Sequence, residues 1–96
     1  MNPNYTYGAP MTGASVKVAY TGTAGTTAAL GTNASVVRVV ATTDCFIEIG
    51  TAPTAVADTG LYLPALVPEY FACPPSAKVS AIQVAAGGTI YVTPIA

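Results

Sequence analysis

"SVVRVVATTDCFIEIG", residues 35–50, holds two alternating runs joined by a short polar break. In the first, Val37, Val39 and Ala41 share one side while Val36, Arg38 and Val40 share the other. In the second, Cys45, Ile47 and Ile49 oppose Phe46 and Glu48. A period of two is the signature of a strand with one buried face. A turn at Thr43–Asp44 predicts that the two strands fold into a hairpin. In that register Arg38 and Glu48 pair across strands, for about 0.2–1 kcal/mol. The juxtaposed Asp44 and Cys45 read as a turn residue and a core residue rather than a reactive pair. Neighbouring strand residues diverge to opposite faces, and an anionic neighbour raises a thiol pKa.

The same pattern extends outward. "ASVKVAY" (14–20) places Val16 and Val18 opposite Lys17. The Gly/Thr/Ala passage 21–35 predicts a weak strand around 26–30 between turns. "TAPTAVADTG" (51–60) is a loop, followed by short strands in "LYLP" (61–64) and in the proline-fenced "PEYFACPP" (68–75). "AKVSAIQV" (77–84) sets Val79 and Ala81 against Ser80 and Ile82. After a turn at "AAGG" (85–88), "TIYVTPI" (89–95) sets Ile90 and Val92 opposite Tyr91. Seven or eight short strands with no helical period predict an all-β fold, a small antiparallel β-sandwich (jelly-roll-like) or barrel. Residues 1–13, rich in Asn, Pro, Tyr and Gly, read as an extended N-terminal arm. Residues 14–96 form a single domain.

Seven of 96 residues are charged, against about a quarter in ordinary soluble domains. They are Lys17, Arg38, Lys78, Asp44, Glu48, Asp58 and Glu69. So uncharged a surface, at net charge −1, is prone to associate, which predicts a homo-oligomer (dimer or trimer) or a larger assembly. Three scattered cations cannot neutralise a phosphate track, which argues against direct nucleic-acid binding. The uncharged spans 18–37 and 79–96 are broken by Gly, Thr, Asn, Gln or Pro, and neither reads as a membrane helix. No signal peptide is visible at "MNPNYTYGAP". Cys45 and Cys73 therefore read as free, buried thiols in a chain made in the cytoplasm.

Chemistry is scarce. The chain has no histidine, which removes Ser–His and Cys–His mechanisms and the commonest metal ligand. Two cysteines and four dispersed acids make no metal-binding spacing, and no cofactor motif is present. "NYT" (4–6) and "NAS" (33–35) match the glycosylation triplet, as a Thr-rich chain does by accident. "ADTG" (57–60) carries Asp58-Thr59-Gly60, which resembles the active-site turn of aspartic proteases. Only thirty-six residues follow it and the later Gly-Arg-Asp/Asn motif is missing, so an Asx-type turn is the reading preferred here. The protease, a homodimer using Asp58, is the remote alternative.

The order "VRVVATTDCFIEIG", "YLPA", "PEYF", "KVSAIQ", "GGTIYVT" within residues 36–93 resembles small virion structural proteins of tailed bacteriophages. The resemblance implies a non-enzymatic cement or decoration protein on the capsid surface, bound to the lattice of the major capsid protein. A neck, tail or fibre component is the alternative. Aromatic residues concentrate at contact cores, so Tyr5, Tyr7 and Met11 in the arm, with Tyr62 and Tyr70 in the domain, are the interface candidates.

Overall fold

The computed structural model describes residues 13–95. Eight strands follow one another: β1 (Val16–Tyr20), β2 (Gly25–Thr26), β3 (Val36–Ala41), β4 (Cys45–Gly50), β5 (Leu61–Leu63), β6 (Glu69–Ala72), β7 (Lys78–Gln83) and β8 (Gly88–Ile95). They build two antiparallel four-stranded sheets, β1-β8-β3-β6 and β2-β7-β4-β5. The pairing is nested: β4 with β5, β3 with β6, β2 with β7 and β1 with β8. A long hairpin wrapped around itself gives this order, the connectivity of a jelly roll. The expected sandwich is therefore the fold.

The alternation read from the sequence sets the core. Val37, Val39, Ala41, Ile90, Val92 and Tyr20 point inward from the first sheet, and Cys45, Ile47, Leu63, Val79 and Ala81 from the second. All are at most 2% exposed. This supply of valine, alanine and isoleucine suits two flat β surfaces packed about 10 Å apart. Pro94 is fully buried within β8, which runs between β1 and β3. It is tolerated because β1 pairs with β8 no further than Val92.

Two expectations are corrected. The strands on either side of Thr42–Asp44 do not form a hairpin: β3 and β4 lie in different sheets, and the break carries the chain across the sandwich. Consequently Arg38 stands opposite Tyr70 and Thr93, while Glu48 stands opposite Ser80. Arg38 and Glu48 belong to separate sheets and do not pair across strands. The weak strand expected around 26–30 is the two-residue β2. It ends where Thr27 turns its hydroxyl to the backbone, accepting from the Val79 N–H at 3.1 Å and donating to the Ala28 carbonyl at 2.9 Å. Gly25 is required at this crossing, because a Cβ there would meet the Ala19 carbonyl oxygen.

Candidate functional site

Register fixes which connections share an end. Tyr20 pairs with Gly88, Ala41 with Ile90 and Cys45 with both Leu63 and Gln83. Four of the six segments that cross between sheets, 21–24, 42–44, 64–68 and 84–87, therefore gather at one end of the sandwich, the crossing end. The start of β1, the end of β8, the other two sheet-crossing segments 27–35 and 73–77, and the 51–60 loop lie at the other. Among the residues of the four crossing segments, Asp44 alone carries a charge.

Asp44 is fully engaged. Its Oδ1 accepts from the Ala65 N–H at 2.7 Å and its Oδ2 from the Tyr62 hydroxyl at 2.8 Å. Its own carbonyl accepts from the Val84 N–H at 3.3 Å. These bonds favour the ionised carboxylate: the Ala65 amide first, then Tyr62, hold the Asp44 pKa below its ordinary value. The Tyr62 hydroxyl, donating to that carboxylate, is held above its own ordinary value. A second tie lies deeper. The Tyr20 hydroxyl donates to the Thr43 carbonyl at 2.7 Å and accepts from the Thr43 N–H at 3.3 Å. Thr43 Oγ1 lies 2.8 Å from that hydroxyl and donates to the Ala86 carbonyl at 3.0 Å.

The arch thus braced, residues 64–68, presents Leu66. Its N–H donates to the Ala41 carbonyl at 2.8 Å, and its backbone is left-handed, with φ of 63°. That conformation is uncommon for a bulky residue and is kept only where its surroundings over-determine it. Yet the side chain gains no burial from it: Leu66 is 73% exposed, the most exposed large apolar residue among those described. Beside it, Thr42, Thr43, Asp44, Ala65, Val84, Ala85 and Ala86 line an open depression of about 290 Å³. The polar side chains around this hollow already have partners, since Thr42 Oγ1 accepts from the Thr89 N–H at 3.0 Å and Thr43 and Asp44 are bonded as above. What it offers a visitor is apolar wall.

The residues singled out from sequence fall in three places. Tyr62 sits at the crossing end, on the outer face of the second sheet, edge-on to Phe46 with ring centroids 5.8 Å apart. Tyr70 stands on the outer face of the first sheet, opposite Arg38, on a surface that also carries Lys17 and Tyr91. The structure does not bring these two tyrosines together. Tyr5, Tyr7 and Met11 lie outside the described residues. Cys45 is a free thiol in the core, and burial pushes its pKa up to about 11. Cys73 is also free, but half-buried rather than buried as expected. Asp58 occupies an exposed turn with φ of 69°, closed by bonds from the Thr59 and Gly60 N–H groups to the Val56 carbonyl. No cluster of three metal-ligating side chains occurs among the described residues.

Leu66 escaped the sequence reading, although "PALVP" (64–68) carried a signal. An apolar triplet fenced by prolines is too short to pair as a strand, and its side chains have no assured place in a core. Tyr91 and Val84, 41% and 44% exposed, carried no such mark. Comparison with known proteins finds no family model, no curated protein and no solved structure that matches this chain.

Proposed function

We propose that this protein is a non-enzymatic virion structural protein that cements or decorates a phage capsid by binding the lattice of its major capsid protein. One observation carries the reading: the described surface exposes Val56, Leu61, Tyr62, Leu66, Val67, Tyr70, Val84 and Tyr91 by 41–73% while the whole chain has seven charges. Single exposed apolar residues are ordinary, but so many on so small and uncharged a surface suit permanent contact. Sparse charge lowers the desolvation cost of such contacts. Repetition over a symmetric lattice multiplies each weak contact through effective concentration. Jelly rolls are common among capsid domains, though they also build lectins and cupins, so the fold supports the reading only by analogy. The outer face of the first sheet, with Tyr70, Tyr91, Arg38 and Lys17, is the docking face in this reading, extended by Tyr5, Tyr7 and Met11 of the arm.

The test is co-sedimentation with purified capsid shells. Saturable binding at a fixed copy number per shell, weakened by Tyr70→Ala and by removal of residues 1–11, is the expected result. Protein that stays in the supernatant with every shell preparation would reject the assignment.

A further inference from the structure

The outer face of the first sheet carries one arrangement twice. Register sets Lys17 beside Tyr91 and Arg38 beside Tyr70, so each pair joins a cation to a phenol on neighbouring strands. Two strands sideways and two residues along, the second pair stands about 12 Å from the first. Val40, opposite Tyr91, and Thr93, opposite Arg38, make the uncharged floor between them. No carboxylate shares this face among the described residues. Glu69 precedes Tyr70 but stands opposite the buried Val39, on the inward parity of β6. Asp44, Glu48 and Asp58 belong to the crossing end, the second sheet and the 51–60 loop. Residues 1–12 hold no charged side chain. A chain of net charge −1 thus gathers two of its three cations on one face, with its acids elsewhere.

A phenol hydroxyl beside an ammonium or guanidinium offers one carboxylate both a donor and a positive charge, and the Arg38 fork can take both of its oxygens. We propose that this face recognises an acidic, extended stretch of a protein partner, with one carboxylate docked on Lys17–Tyr91 and a second on Arg38–Tyr70. Spacing supports the extended form. A strand rises about 3.3 Å per residue and returns to the same side every second residue, so acids four positions apart lie about 13 Å apart. Nucleic acid fits less well, because two cations release too few counterions to hold a phosphate chain. A second copy fits less well too. Its acids at that spacing are Asp44 and Glu48, and the Asp44 carboxylate already accepts from Ala65 and Tyr62. Glu48 stands opposite Ser80, whose Oγ is bonded to Ala55 of the 51–60 loop, and one row from Lys78.

This deepens the proposed function and rests on it only for which face meets the partner, so the chemistry is tested without shells. The full chain is titrated with the capped peptide Glu-Thr-Val-Thr-Glu, its Gln-Thr-Val-Thr-Gln counterpart and a thymidine oligonucleotide. The amide signals of Lys17, Arg38, Tyr70 and Tyr91 report binding. The Glu peptide should shift all four and bind about tenfold more tightly than the Gln peptide, and added salt should erase that preference. Arg38→Gln and Lys17→Gln should each remove most of it. Both keep a polar side chain, and unmoved core methyl signals would show that the sandwich persists. No shift with the Glu peptide at roughly 10 mM, equal binding of the two peptides, or tighter binding of the oligonucleotide overturns the proposal. So does concentration-dependent sedimentation of the chain alone that Arg38→Gln abolishes, since the occupant is then a second copy. Selective Glu binding by a chain that ignores every shell would uphold the acidic recognition and sink the capsid assignment. Shell binding indifferent to Arg38→Gln and Lys17→Gln would do the reverse.

Discussion

The two ends of this sandwich are closed by different physics. The crossing end has four connections of three to five residues, held by side-chain oxygens: Asp44 to Ala65 and Tyr62, Tyr20 to Thr43, Thr43 to Ala86 and Thr42 to Thr89. The opposite end has connections of nine, ten and five residues, folded back over the sheets and closed by apolar burial. Leu30, Ala34, Pro53, Ala55 and Ala77 are all buried there. Backbone bonds such as Leu30 N–H to the Ala77 carbonyl and Cys73 N–H to the Ser35 carbonyl complete it. Short arches leave no room for a hydrophobic plug and must be strutted by polar groups. Long loops supply their own plug.

On this contrast, the largest single effect belongs to the loop end. Leu30→Ala empties a site that is 4% exposed and should cost about 2–5 kcal/mol in urea unfolding. Ser80, like Thr27, is an exception that sharpens the rule, and Ser80→Ala tests it. Its Oγ accepts the Ala55 N–H at 2.9 Å beneath the 51–60 loop, and orphaning that buried donor should cost about 1–3 kcal/mol. At the crossing end, Tyr20→Phe removes only hydrogen bonds from a ring that stays packed. A loss of about 0.5–1.5 kcal/mol is expected, and a loss as large as that of Leu30→Ala would break the comparison.

Smaller still is the pH response of the Asp44 strut, which a titration of the Ala65 and Leu66 amide signals would read. The folded-state pKa of Asp44 lies below its unfolded value. Its contribution is therefore complete above the ordinary carboxylate range and fades as pH falls through the depressed value. Asp44→Asn should abolish that transition and leave the signals of the 51–60 loop unmoved. Last, Cys45 should resist a thiol reagent at pH 8 while the native fold persists, with Cys73 the faster of the two. Equal labelling rates would mean that the core opens far more readily than its packing implies.

The alternation in 36–41 and 45–50 revealed which side chains are buried, and it did so correctly from Val37 to Ile47. It did not reveal where the partner strand lies. Ala41 and Cys45 face the core whether their strands sit side by side in one sheet or across from each other in two, because both arrangements keep the same parity. The deciding contacts come from afar. Thr43 is bonded to Tyr20, and Asp44 to Tyr62 and Ala65, partners eighteen or more positions away that no local pattern announces. The interface candidates suffered the same limit. Tyr62 and Tyr70 were chosen for their chemistry and are exposed, but eight positions of separation could not show that a sheet change divides them.

The nesting of the strand pairs also dictates an order of assembly. In an open chain, joining Tyr20 to Gly88 costs roughly 2 kcal/mol more closure entropy than closing the 51–60 loop between β4 and β5. Once the innermost pair has formed, each outer wrap spans only a short remaining gap. Assembly is therefore cheapest from the inside outward, with β1 and β8 last. Emerging from a ribosome, β1 appears first but waits for the last strand to be translated, its edge bare in the meantime. For a chain so poor in repelling charge, that interval, rather than the finished fold, is when misassociation with its siblings is most dangerous.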